Sequence, residues 1–218
     1  MGSVLDHVSE FFKAGGPFMY INLLSSAAAV AIILDRSIRL VFVYSINGAP
    51  FMEQITKLVM TGNIDRAIKL CGAAPNAALA RVIRAGLSRA NRGEIEIARA
   101  MEESILEVTP TLQKRIQSLW SLANIATLLG LIGTITGLIK CFGSLGGVSQ
   151  ELKGKILSTG ISEAMNNTAF GLGIAVSCIV AHLFLTAKAK GMIEEIELYA
   201  LKLENLLSRR GEAAEQSA

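Results

Sequence analysis

The sequence is short of charge. Only 18% of its 218 residues are Asp, Glu, Lys or Arg, against 51% hydrophobic, too few to wet the surface of a soluble domain. Mean hydropathy is +0.47. Proline is scarce, with four residues, aromatics make up 6%, and no stretch alternates apolar with polar residues. An outer-membrane β-barrel is therefore a poor fit, and helix is expected outside the apolar runs as well as within them. The three cysteines, Cys71, Cys141 and Cys178, are widely separated and lack metal-ligand spacing, which argues against a disulfide framework or a zinc site. They read as small packing residues, and no cofactor is implied. The first sixteen residues carry Asp6, Glu10 and Lys13 with no basic cluster ahead of an apolar run. They do not resemble a cleaved secretory signal, so the first apolar run is expected to stay in the mature protein.

What the sequence does have is long apolar runs. Segments 17–34 (closed by Asp35 and Arg36), 119–139 and 164–187 each approach the roughly 20 residues a helix needs to cross a ~30 Å hydrocarbon layer. All three contain polar residues that a lone lipid-facing helix would avoid, so they belong in a bundle. The expected fold is an all-α membrane protein with three transmembrane helices, two of them extended far into the cytoplasm, and a small helical cytoplasmic insert.

One basic residue precedes the first span, twelve lie between Arg36 and Arg115, three (Lys140, Lys153, Lys155) separate spans two and three, and five follow the third. The positive-inside rule then places segment 35–118 and segment 188–218 in the cytoplasm. The N-terminal segment 1–16 and segment 140–163, a short loop near Gly146 plus the start of the third helix, fall on the periplasmic side.

In the cytoplasmic segment, "GNIDRAIKLC" and "NAALARVIRAGLSRA" read as two short amphipathic helices separated by the turn-forming "GAAPN". Ala98, Met101, Ile105, Val108, Leu112, Ile116 and Leu119 recur every three or four residues and predict one helix running straight into span two. Met192, Ile196, Tyr199, Leu203 and Leu206 repeat the pattern after span three, ahead of a polar, frayed tail, "GEAAEQSA". Such stripes are what packed helices need and do not by themselves indicate a ligand. The basic residues of this segment are interspersed with Glu94, Glu96, Glu102, Glu103 and Glu107. They look like topology determinants and solvated faces, and no nucleic acid is expected as a partner.

The second span carries an unusual stretch, "LLGLIGTITGLI". On a helix advancing about 100° per residue, Thr127, Gly130, Thr134, Gly137 and Cys141 share one narrow face, and Leu128, Ile132, Ile135 and Ile139 share the other. Small residues, including the Gly133-x-x-x-Gly137 pair, allow close helix contact in lipid, where packing drives association. Span three repeats the design: Asn167, Thr168, Gly171, Ala175, Cys178 and His182 share a face, with Phe170, Ile174 and Leu185 pointed elsewhere. Two matched hydroxyl-and-glycine faces suggest a polar lining. The alternative is that Thr134 and Thr168 only bond carbonyls one turn earlier in their own helices.

An intramembrane carboxylate is costly and by default functional, yet spans one and two have none. Glu163, at the outer start of span three, lies about 140° around the helix from Thr168. An anchor to a neighbouring subunit through Lys153 or Lys155 is as good a reading of it as proton transfer. His182, alone near the inner end of span three, reads better as a packing residue than as a proton-transfer group. Ser177 and His182 are about 140° apart on one helix, too far round to face one another as nucleophile and base. If protons cross here, the central acid comes from another polypeptide.

"NIATLLGLIGTITGLI" followed by "GISEAMNNTAFGLGIAV" resembles the paired signature of the MotA/TolQ/ExbB proton-channel family, in particular its three-span ExbB and TolQ branch. The resemblance implies a pentamer in a bacterial inner membrane enclosing single helices of an ExbD- or TolR-like partner, which supplies an aspartate. A TonB- or TolA-like protein is a further implied partner, beside membrane lipid. The family's pore threonines match Thr134 and Thr168, and its span-start glutamate matches Glu163. The sequence departs from the family pattern in carrying Thr127 where proline is frequent, in lacking a third-span proline, and in placing Asn166 and Asn167 at apolar or small positions. Thr127 puts one more hydroxyl a heptad from Thr134 and predicts a more polar pathway. The reading from another class is a passive oligomeric scaffold whose glycine faces serve assembly alone.

Overall fold

A computed structural model of the chain describes Phe12, residues 15–147 and residues 149–216, with side chains to residue 209. The segment 1–11 therefore lies outside the described residues, as do residues 13, 14, 148, 217 and 218. The chain is α-helical throughout, with no strand among the described residues: α1 (Gly16–Ile38), a π-helical segment (Arg39–Val43), α2 (Gly48–Met60), α3 (Ile64–Gly72), α4 (Ala78–Leu87), α5 (Glu94–Gln113), α6 (Ile116–Gly143) and α7 (Gln150–Gln216). Three of the helices are long and apolar enough to span a membrane. Only 17% of the most apolar window of the first is buried within the chain, and 28% in each of the other two. Helices so apolar and so little covered need lipid or other protein around them.

The residues group into two compact units, Met1–Asp35 with Arg115–Phe184 and Arg36–Lys114 with Leu185–Ala218. In the first, Ala29, Ala123, Ala126, Ile174, Ala175 and Cys178 form a core of small residues, with Leu122 and Phe170 packed against it. Leu128, Ile132, Ile135 and Ile139 are all exposed, as the helical wheel predicts. Ile174 and Leu185 are not pointed elsewhere: they are 7% and 8% exposed. The buried stripe of α7 is wider than the small-residue face alone: Ile174, four residues before Cys178, and Leu185, seven after it, lie within about 40° of Cys178 on the helix, and helices crossing at close range bury both flanks of a stripe.

The second unit is built around Ile55, Val59, Val82, Ile83, Leu87, Met101, Leu112 and Leu203, all nearly inaccessible. α3 and α4 match the two amphipathic helices read from sequence, and α3 is helped by Asp65 in its first turn and Lys69 in its last, each complementing the helix dipole. The reading missed α2, although Phe51, Met52, Ile55 and Val59, its buried residues, already have helical spacing and Pro50 suits a first turn. Glu195 Oε1 and Tyr199 occupy the space a side chain at Gly48 would need, so the start of α2 sits against α7. On α7 the buried stripe passes through Ala200 and Leu207, correcting Leu206, which is half-buried.

The expected single helix into span two is broken. α5 stops at Gln113, Lys114 is extended, and Arg115 adopts φ 59° in the left-handed region before α6 begins. Pro110 inside α5 already lacks the N–H its last turns would use. The guanidinium of Arg36, 3% exposed, donates to the Thr111 carbonyl at 3.4 Å, one of the last carbonyls of α5, which have no partner within the helix. α1 runs past the first apolar segment to Ile38 and into the π-helical segment, and Tyr44 N–H closes that segment on the Arg39 carbonyl at 2.9 Å. The tail is helical to Gln216 rather than frayed.

Candidate functional site

α6 and α7 approach most closely at glycines. A Cβ added at Gly171 would stand 2.6 Å from the Ala126 carbonyl oxygen and 3.1 Å from Gly130 Cα, and one at Gly130 would stand 3.1 Å from the Asn167 carbonyl oxygen. Gly133 meets the Asn167 side chain, Cγ at 2.8 Å, and Gly137 meets Ala164 at an ordinary 3.4 Å. With no side chains between them, the two backbones bring their polar groups together.

Thr134 and Thr168 are the product of that approach. Their hydroxyls hydrogen-bond to one another across the helix pair. Thr134 Oγ1 also lies 3.1 Å from the Gly130 carbonyl and 3.2 Å from the Ala164 carbonyl, and Thr168 Oγ1 lies 3.4 Å from the Gly130 carbonyl. Thr134 thus bonds a carbonyl one turn earlier in its own helix, while Thr168 bonds only across the pair. Both side chains are half-buried. A hydroxyl both donates and accepts, so the pair can pass a hydrogen bond from one helix to the other by rotation alone.

Thr127 stands apart. It is exposed, and its hydroxyl donates to the Ala123 carbonyl at 3.0 Å, so among the described residues nothing joins it to the threonine pair. Glu163 is half-buried, and its Oε1 fills the space where a side chain at Gly16 would stand. Gly16 has φ +68° and opens α1, so the carboxylate rests at a helix N-terminus, where the dipole favours negative charge. Glu163 also lines a cavity of about 420 Å³ with Lys140, Lys155 and Thr159. Lys153 is not among its lining residues. The within-chain seat at Gly16 is a contact the sequence did not disclose, because α1 and α7 are far apart in the chain.

Residues 74–198 match the MotA/TolQ/ExbB proton channel family. The chain belongs to that family. Among similar proteins are a biopolymer transport protein ExbB homolog of Methanothermobacter thermautotrophicus, 22% identical over 88% of this chain and 67% of its own length. The Tol-Pal system protein TolQ of Haemophilus influenzae is 26% identical over 51% of this chain and 49% of its own length. The biopolymer transport protein ExbB of Helicobacter pylori is 30% identical over 40% of this chain and 59% of its own length. The match to the TolQ relative thus spans about half of that protein's length.

The matched region contains α6, the threonine pair and the start of α7's long extension, so this family member is a multi-pass membrane protein of a channel class. The hydrolase geometry is not assembled. Ser177 Oγ donates to the Gly173 carbonyl at 2.9 Å, while the His182 ring lies against Trp120, centroids 6.0 Å apart. Sequence reasoning missed Asn22, fully buried in α1, whose Nδ2 donates to the Ala126 carbonyl at 3.2 Å. An asparagine in the middle of an apolar span was the available signal.

Proposed function

We propose that this protein is a proton-channel and stator subunit of an ExbB/TolQ-type complex in a bacterial inner membrane. It assembles with copies of itself, by resemblance as a pentamer, around an ExbD- or TolR-like single-span partner that supplies a titratable aspartate. Proton-motive force is converted to mechanical work on that partner, and through a TonB- or TolA-like protein it serves transport or envelope maintenance. The observation that carries the reading is the Thr134–Thr168 hydroxyl pair at the α6–α7 crossing, within a family whose description is a proton channel. These hydroxyls can solvate a proton carrier or a carboxyl group of the partner at a depth where lipid offers nothing polar. A proton descending the membrane potential releases about 2.3 kcal/mol per 100 mV, enough to bias a conformational step. In this reading Thr127 extends the polar wall, the glycines set the helix spacing, and segments 35–118 and 188–218 are cytoplasmic.

The test is partner-dependent proton uptake into liposomes. Loss of uptake on Thr134→Val or Thr168→Val, with the oligomer intact, is the expected result. Uptake at the wild-type level in both variants would overturn the lining and leave a passive scaffold as the better description.

A further inference from the structure

The cavity of about 420 Å³ between the end of α6 and the start of α7 is lined by charges of both signs: Lys140 and Lys155 bring two ammonium groups and Glu163 a carboxylate. Among the described residues neither lysine is ion-paired with Glu163, so opposite charges border one space without closing it. Two hydroxyls in the same lining, Ser144 and Thr159, have committed their hydrogens. Ser144 Oγ donates to the Lys140 carbonyl at 2.8 Å and Thr159 Oγ1 to the Lys155 carbonyl at 3.0 Å. A hydroxyl that donates elsewhere still accepts. The cavity therefore offers two cationic donors and, from Glu163, Ser144 and Thr159, a set of acceptors.

The depth of the cavity follows from the two helices. The 21 residues of segment 119–139, at 1.5 Å each, cover the ~30 Å hydrocarbon layer, and Lys140 comes next. Glu163 directly precedes the apolar segment 164–187 of α7, so both charges stand where hydrocarbon gives way to lipid headgroups. Ile139 and Phe142, on either side of Lys140, are 66% and 60% exposed, and Leu152 on the cavity wall is 52% exposed. Apolar surface thus reaches up to the charges.

A free anion would answer the lysines and leave Glu163 facing negative charge. A metal cation would answer Glu163 and be repelled by both lysines. A zwitterion carrying a phosphate and a primary ammonium answers both signs: the phosphate accepts from the lysines, and the ammonium has three hydrogens to donate to Glu163, Ser144 and Thr159. A choline headgroup has the same charges but no N–H, and a glycerol headgroup has no cation. The volume falls within the ~300–1,000 Å³ of small-ligand pockets.

We infer that this cavity holds the headgroup of a phosphatidylethanolamine-type lipid of the surrounding bilayer, with its phosphate at Lys140 and Lys155 and its ammonium at Glu163. Bound there, the lipid bridges the end of α6 to the first turns of α7. The site shares no residue with the threonine pair. It requires only that the chain sit in a bilayer, not that it conduct protons.

The test uses the full-length oligomer in nanodiscs of equimolar phosphatidylethanolamine, phosphatidylglycerol and phosphatidylcholine with matched acyl chains. Native mass spectrometry of the released oligomer is expected to show phosphatidylethanolamine retained at least about threefold over either competitor, since it alone makes charge-assisted hydrogen bonds at both ends. The preference should vanish in the double variant Lys140→Gln, Lys155→Gln and turn toward phosphatidylglycerol in Glu163→Gln. Equal retention of the three lipids, a wild-type preference for either competitor, or a phosphatidylethanolamine preference that the variants keep would overturn the proposal. A second reading needs no loss of charge: in proteoliposomes with 15N-labelled lysine, dipolar recoupling to lipid 31P should dephase the Lys140 and Lys155 Nζ signals, each assigned by its loss in Lys140→Arg or Lys155→Arg. Dephasing no greater than that of the exposed Lys57 would also overturn it. Proton uptake measured on the same oligomer keeps the two readings separate, because its absence beside an intact lipid preference counts against the channel alone.

Discussion

Gly171 of α7 faces Gly130 of α6 so closely that a methyl group on Gly171 would meet the Ala126 carbonyl oxygen at 2.6 Å and Gly130 Cα at 3.1 Å. The nearest contact is with backbone, which cannot yield as the Asn22 side chain, with Nδ2 at 3.1 Å, can. Gly171→Ala is therefore expected to destabilise the helix pair by about 1–3 kcal/mol. Gly130→Ala, with its nearest contact at 3.1 Å, should cost less, Gly137→Ala, at 3.4 Å, little, and Gly173→Ala, with nothing within 4 Å, nothing. Thermal unfolding in detergent checks the order.

The threonine pair makes a second prediction. Because the Thr134 and Thr168 hydroxyls bond to each other, removing one alters the environment of the other, and the two substitutions should be non-additive. Thr134→Val and Thr168→Val should each abolish most partner-dependent proton flux, the double variant should lose little more, and Thr134→Ser should restore flux. Thr127→Val should reduce flux less than Thr134→Val, since Thr127 is joined only to its own helix. Flux measured in liposomes decides between these outcomes.

Burial pushes the thiol of Cys71 up to about 11 from the ordinary 9.0, opposed in part by the charge of Arg84. Since nucleophilic attack requires the thiolate, alkylation at pH 8 should run about a hundredfold slower than for a free cysteine. The folded value lies above the unfolded one, so the neutral thiol's contribution to stability is complete below pH 9. It declines as pH rises from 9 toward 11, by about 1.4 kcal/mol per pH unit. Cys71→Ala should flatten that decline in an unfolding series across this range.

Arg115, at φ 59°, occupies a conformation that costs an ordinary residue about 1–2 kcal/mol. Arg115→Gly should leave stability unchanged or raise it by up to about 1 kcal/mol, while Arg115→Val, whose branched side chain tolerates that region poorly, should lower it. Denaturant midpoints of the two variants provide the comparison.

Composition and residue spacing alone show that the protein is helical, that three helices suit a bilayer, and which face of α6 turns away from its neighbours. Hydropathy and helical periodicity are local properties and survive without knowledge of contacts. The short helices α3 and α4 were legible for the same reason, and the paired motifs of spans two and three were specific enough to indicate the family. The break at Lys114–Arg115 was not legible, because an apolar stripe can continue in register across a kink while the backbone does not. Packing between distant segments is what brings Thr134 to Thr168, sets Glu163 at the start of α1, lets Arg36 close α5, and buries Asn22 and Asn167 within one chain. Each of these depends on which residues distant in sequence come within hydrogen-bonding range. That range is set by how closely glycine lets two backbones approach, and no spacing along a single helix encodes it.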